Sequence, residues 1–209
     1  MPMNPGRYRF TVDWFSAHGE TWSDWLNHLR HRPRSRFLEI GCFEGRATVW
    51  LLENVLDHPT CRIDCVDTFE GSPEHSDMGL DLSGVEARFD WNVRASGSAH
   101  KVGKLKGASR EHLRRLPFDA YDFAYVDGSH LARDVLEDAV LAFPLLKKGA
   151  LLVFDDYRWD RNRGTLSHPG PGIDAFLAIY SDPPSVRAAS EADDPRHFRA
   201  CPIREPRPA

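Results

Sequence analysis

Two hydrophobic periods alternate along this chain. Phe10, Trp14, His18, Trp22, Leu26 and Leu29 recur at spacings of three and four and predict one greasy helical face over the first thirty residues, bent near Gly19. After "HRPRSR" the pattern changes. "FLEIG" (37–41) is short and apolar and predicts a strand, Gly45 to Leu56 has helical spacing, and "CRIDCVD" (61–67) predicts a second strand, which makes a β-α-β unit. The rhythm continues with a helix over 84–97, a strand over 101–107, a short helix over 109–116 and the strand "AYDFAYVD" over 120–127. A helix from His130 to Lys147, the strand "ALLVFDD" (150–156), a helix over 173–181 and two weaker strands near 185–189 and 197–204 complete the pattern.

Strands separated by helices predict an α/β fold: a doubly wound, Rossmann-like, mostly parallel seven-stranded sheet with helices on both faces and an N-terminal helical extension. The 209 residues suit one domain, with 1–34 as the extension and 35–209 as the core. Two stretches rich in Gly, Pro, Ser and Asp, 68–83 and 157–172, break the alternation. Each follows the carboxyl end of a strand, where open α/β sheets bind their ligands.

Composition narrows the class of partner. A formal charge of -4 and a pI near 6.2 remove the overall basic field with which nucleic-acid binders meet phosphates, so a small molecule is expected instead. The N-terminus has no signal-peptide core and no run approaches a membrane span, so a cytoplasmic location and no membrane partner are expected. Cys42, Cys61, Cys65 and Cys201 lack paired C-x-x-C spacing and are expected to be reduced and structural.

The chemistry gathers at strand ends. Gly41 and Gly45 flank a strand-to-helix turn, where missing side chains let the backbone approach a ligand. The dinucleotide fingerprint G-x-G-x-x-G is not matched, because Phe43 and Arg46 stand at two of its glycine positions. Glu39 is a carboxylate inside the preceding strand, costly to bury without a partner, and Asp67 ends the second strand, where an acid can accept both hydroxyls of a ribose. Together they describe a nucleoside site without phosphates. Asp127 closes one strand and Asp155-Asp156 another, and three carboxylates at one mouth need a cation or a proton among them. Oxygen ligands favour Mg²⁺, or Mn²⁺ or Ca²⁺, over zinc. A regular strand sends residues 155 and 156 to opposite faces, so joint ligation requires the chain to leave strand geometry at Asp155. His130, three residues after Asp127, has the pKa range of a proton acceptor at neutral pH. The plainer readings are a solvated His130 and a solvent-facing Asp156.

"FLEIGCFEGRAT", "IDCVD", "GASREHL", "FAYVDGSH" and "LLKKGALLVFDDY" resemble the successive motifs of class I S-adenosylmethionine-dependent methyltransferases, in particular the small-molecule branch with catechol and macrolide-sugar O-methyltransferases. The resemblance runs from about Phe37 to Ile179. It implies that Gly41, Phe43 and Gly45 line the cofactor, that Glu39 sits under the same loop, that Asp67 and Thr68 meet the ribose side, and that Ser109 and Asp127 lie at the cofactor. Ser109 reads equally well as a helix N-cap, and Ala108 stands where many relatives carry Asp. The resemblance further implies Asp127, Asp155 and Asp156 as ligands of a divalent metal; Asp127 and His130 are the expected catalytic residues, His130 as the base by its own position and chemistry. The expected reaction is O-methylation of a small hydroxylated acceptor. The alternatives are metal-independent N- or carboxyl-methylation and a non-catalytic binding partner. The tryptophans of the N-terminal face serve as a lid over the site, or else pack in the core or a homodimer interface.

Overall fold

In the computed structural model the described residues are 6–72, 75, 78–159, 164, 166–180, 187–188 and 199–202, the last two segments as backbone. They belong to two compact units, one formed by 1–35 and 41–107 and the other by 36–40 and 108–209.

The first unit holds the N-terminal segment and the second strand. A 3-10 turn at Ser16–His18 leads into α1 (Gly19–Leu26), so the expected bend at Gly19 is a change of helix type. Trp22 is 1% exposed and meets Phe15 and Trp50 edge-on, with ring centroids 4.9 and 6.0 Å away. This tryptophan is core. Helix α2 (Arg46–Asn54) buries Val49, Leu51 and Leu52, while α3 (Val85–Ala95) buries Val85, Phe89 and Val93 at helical spacing. Strand β2 (Arg62–Asp67) pairs in parallel with β3 (Val102–Lys106), from Ile63↔Val102 to Asp67↔Lys106. Cys42, Cys61 and Cys65 are free and buried, as expected; the side chain of Cys201 lies outside the described residues.

The second unit is built on β1 (Arg36–Ile40), β4 (Tyr121–Val126) and β5 (Leu146–Phe154) in parallel, with β1 beside β4 and β4 beside β5. Two short strands, β7 (Arg199–Pro202) and β6 (Arg187–Ala188), continue antiparallel from β5. β4 is buried at every position. Its one acid, Asp122, is compensated by the Arg36 N–H at 2.9 Å and Lys147 Nζ at 2.7 Å. The helices are α4 (Ser109–Leu113), α5 (Ala132–Ala142) and α6 (Gly170–Tyr180). The helix expected to reach Lys147 stops at Ala142, because Pro144 opens a 3-10 turn, and Leu146 already belongs to β5. Apolar Leu145 and Leu146 fit a strand as well as a helix, which is why periodicity misplaced that boundary.

Gly172 sets the spacing of α6 against α5. A Cβ there would lie 2.1 Å from the backbone oxygen of Ala132, so only glycine allows the approach.

Candidate functional site

From Ile40 the chain turns through residues 41–45 into α2. Gly41, Phe43 and Gly45 all take positive φ, at 82°, 45° and 79°. A Cβ on Gly45 would also meet Phe89 Cδ2 at 2.9 Å, so conformation and space both demand glycine. Asp67 braces the turn: its Oδ2 accepts the N–H groups of Cys42 at 2.8 Å and Phe43 at 2.7 Å, and its Oδ1 that of Phe69 at 2.6 Å. A carboxylate offers about four lone-pair directions, and three are taken. Thr68, beside it, accepts the Glu70 N–H at 3.2 Å.

Glu44 was not legible as a site residue, and it organises this turn. It is 2% exposed; its carboxylate accepts the N–H and O–H of Thr11, each at 2.7 Å, and pairs with Arg88. Its backbone oxygen accepts from Asn92 Nδ2 at 2.8 Å, and Asn92 in turn bonds the backbone of Arg9 on both sides. Arg46 adds an ion pair to Asp13 at 3.1 Å and lies over the Phe10 ring. The N-terminal segment is therefore fastened to the turn. Trp14, 46% exposed, packs on Phe43 with ring centroids 5.4 Å apart and stacks on His75 at 5.2 Å and 10°. His75, without a role in the sequence reading, supplies that stacking surface, and its Nδ1 meets the Ser72 N–H at 3.1 Å.

The second unit carries the acids. β5 ends at Phe154, and Asp156 takes φ 53°, so the departure from strand geometry that joint use of the Asp pair requires is present. Asp127 and Asp155 are fixed by their own N–H groups, which donate to Ile40 O at 2.8 Å and Val126 O at 3.0 Å. One oxygen of each of Asp127, His130 and Asp156 (a ring nitrogen for His130) lies within 4.8 Å of the others. His130 Nε2 pairs with Asp156 Oδ2 at 2.9 Å, and the imidazole packs on Trp159 with centroids 4.3 Å apart. At 15% side-chain exposure His130 is not the solvated surface residue of the plainer reading. Asp155 is held differently: its Oδ2 accepts the Tyr125 hydroxyl and its Oδ1 accepts the Asp156 N–H at 2.7 Å.

Tyr125, inside the predicted strand "AYDFAYVD", was given no role by the sequence. It is 1% exposed, and its hydroxyl also lies 3.0 Å from Asp127 Oδ2. The missed signal was its place in β4, two residues before Asp127. Burial, then the charges of Asp127 and Asp155, hold the Tyr125 hydroxyl well above its usual pKa. Burial, reinforced by the charges of Asp155 and Asp156, pushes the Asp127 carboxyl well above the usual range, with His130 and the Tyr125 bond pulling the other way. Half-buried, mutually repelling carboxylates beside an imidazole form a donor set that fits a divalent cation.

Glu39 is buried to 1% and lies opposite Tyr125 in the β1–β4 register. Ser109 is the first residue of α4, but Ala108 holds the cap position, so Ser109 is not the N-cap. Its side chain bonds Asp138, a buried acid of α5 whose carboxyl is pushed up to about 7, chiefly by burial.

A family model described as a methyltransferase domain matches residues 38–157. No curated protein matches the sequence. Among solved structures, cofactor-bound Rv0187 from MTB aligns with a TM-score of 0.66 at 17% identity, over 96% of this chain and 86% of that one. The O-methyltransferase from Bacillus cereus in complex with SAH gives 0.63 at 17%, over 93% and 84%. The O-methyltransferase TomG from Streptomyces achromogenes, involved in tomaymycin synthesis and in complex with SAM, gives 0.65 at 18%, over 93% and 82%. These likenesses establish a common α/β Rossmann-like fold. Among the described residues no helix is long and apolar enough to cross a membrane.

Proposed function

Because the chain belongs to the methyltransferase domain family and is an S-adenosylmethionine-dependent methyltransferase, we propose that it methylates a hydroxyl oxygen of a small acceptor with the help of a divalent cation. The observation that carries the reading is the convergence of Asp127, His130 and Asp156 within 4.8 Å, in a setting that disfavours the negative charge of Asp127.

The reaction asks for in-line alignment of an oxygen with the cofactor's methyl group and for loss of the acceptor's proton. In the first unit, Gly41, Phe43 and Gly45 leave backbone open to the methionine part of S-adenosylmethionine, and Asp67 keeps that turn in shape while offering its remaining lone pair to the ribose. Glu39 lies under the same loop in sequence, and Thr68 and Ser109 complete the cofactor contacts we assign. In the second unit, Asp127, Asp156 and His130 would hold the cation, and Asp155 braces them through Tyr125 and the Asp156 backbone. A bound divalent cation supplies the Lewis acidity that lowers the pKa of an acceptor hydroxyl. An imidazole in the donor set moves the preference from Mg²⁺, expected from oxygen ligands alone, toward transition ions such as Mn²⁺.

The His130–Asp156 pair at 2.9 Å supports a second reading, in which the carboxylate orients the imidazole as proton acceptor without a metal. The two roles exclude each other, because a nitrogen lone pair given to a cation cannot take a proton. Release of S-adenosylhomocysteine from S-adenosylmethionine across a panel of small hydroxylated compounds, with and without EDTA, decides between them. Turnover abolished by EDTA and restored by Mn²⁺ or Mg²⁺ is the expected result; turnover indifferent to EDTA would leave the His130 base reading in its place.

A further inference from the structure

We propose that Tyr125 is a positioning residue that selects the cation's ligands: by holding Asp155 on its hydroxyl it keeps that carboxylate out of the set and makes His130 the third ligand beside Asp127 and Asp156. The inference rests on the metal-assisted reading above and adds the residue that decides which donors are used.

The reasoning begins with the sequence. Asp155 and Asp156 are adjacent acids, and nothing in their order says which of them should face a cation. Three observations separate them. The Asp155 N–H still donates to Val126 O at 3.0 Å, which keeps it in line with the strand, whereas Asp156 has broken out at φ 53°. Both Asp155 oxygens are engaged, Oδ2 by the Tyr125 hydroxyl and Oδ1 by the Asp156 N–H at 2.7 Å. The ligand atoms that close to within 4.8 Å belong to Asp127, His130 and Asp156 and leave Asp155 out.

Tyr125 is suited to this task by position. It sits in β4 two residues before Asp127, which follows the strand's last residue, and its ring is buried, so the hydroxyl has little freedom to turn elsewhere. The hydroxyl reaches Asp155 Oδ2 and lies 3.0 Å from Asp127 Oδ2; its single proton serves one of them at a time, and we assign it to Asp155. A phenylalanine would fill the same volume and leave the Asp155 carboxylate free to turn toward the cation. The donor set would then change from two carboxylates and an imidazole to three carboxylates, a change from transition-ion preference toward Mg²⁺.

The test is a double-mutant cycle read by direct Mn²⁺ and Mg²⁺ titration calorimetry on the full chain, without turnover. We expect His130→Ala to weaken Mn²⁺ binding by roughly 10-fold or more in the wild-type background and by less than about 3-fold in Tyr125→Phe, where Asp155 takes its place. Electron spin echo spectra of bound Mn²⁺ should carry an imidazole nitrogen coupling in the wild type and lose it in Tyr125→Phe. A wild-type spectrum without nitrogen, or equal losses from His130→Ala in both backgrounds, would overturn the Tyr125 proposal and leave metal assistance standing. No binding of either ion to the wild type would overturn both. The wild-type spectrum decides the matter even if Tyr125→Phe folds poorly, and S-adenosylhomocysteine affinity is the check on its fold.

Discussion

The turn after β1 and the cluster at the ends of β4 and β5 both hold acids partly or wholly out of solvent, and they treat them in opposite ways. Glu44 and Asp67 are surrounded by donors of the protein's own making: Thr11, Arg88 and three backbone N–H groups. Asp127, Asp155 and Asp156 are placed against one another, with a tyrosine hydroxyl and a histidine between them. Buried charge matched by fixed donors is architecture, because nothing further is needed to stabilise it. Charge set against like charge leaves its compensation to a proton or a cation, which is the ground of the metal-assisted proposal.

The largest effect that could break this contrast is on turnover. Asp127→Asn should lower kcat by roughly 10²–10³-fold, the loss of several kcal/mol of charge stabilisation, while S-adenosylhomocysteine affinity by calorimetry stays within about 3-fold. A large loss of cofactor affinity instead would make Asp127 part of the cofactor site alone.

Next in size is a pH effect on stability at Asp138, outside the cluster. Its carboxyl is raised from 3.8 to about 7, so the folded state holds the proton more tightly than the unfolded chain. The contribution is therefore present in full below the unfolded pKa and is lost as pH rises through about 7. Asp138→Asn should match the wild type near pH 4 and be more stable at pH 8 by a few kcal/mol, on the order of 4 at most, as read by urea unfolding at both pH values. Equal stability at pH 8 would mean that Asp138 is ionised at no cost.

Glu44→Ala should cost about 3 kcal/mol in the same experiment, since it leaves Arg88 and two Thr11 donors without their acceptor. A loss under about 0.5 kcal/mol would remove the ground for calling Glu44 architectural. Trp14→Ala, which removes an exposed stacking partner of Phe43 and His75, should cost least, about 1 kcal/mol by thermal unfolding.

How far the sequence could be read follows from the same contrast. β1 to β5 were legible as short strand-forming runs and the helices between them by apolar residues at helical spacing, and the acids at strand ends because parallel strands end on one side. The fastening of residues 9–13 by Glu44 was not, because it joins Thr11, Glu44, Arg88 and Asn92 across long stretches of chain with no local signature. Asp67 was found, but its use by three backbone N–H groups was not, since a turn's hydrogen bonds depend on dihedrals that residue types do not specify. Tyr125 was hidden by its own ambiguity: the same side chain serves as core and as hydrogen-bond donor, and only the neighbouring carboxylates reveal the second use.

The contact at Gly172 has a consequence for how this chain can change over generations. An atom added there collides with the backbone oxygen of Ala132, an atom that every residue type at position 132 would present. A second-site substitution at 132 therefore cannot restore the fit, and a genetic screen for suppressors of Gly172→Ala should return revertants or changes that move a whole helix. Position 172 is closed to gradual exploration.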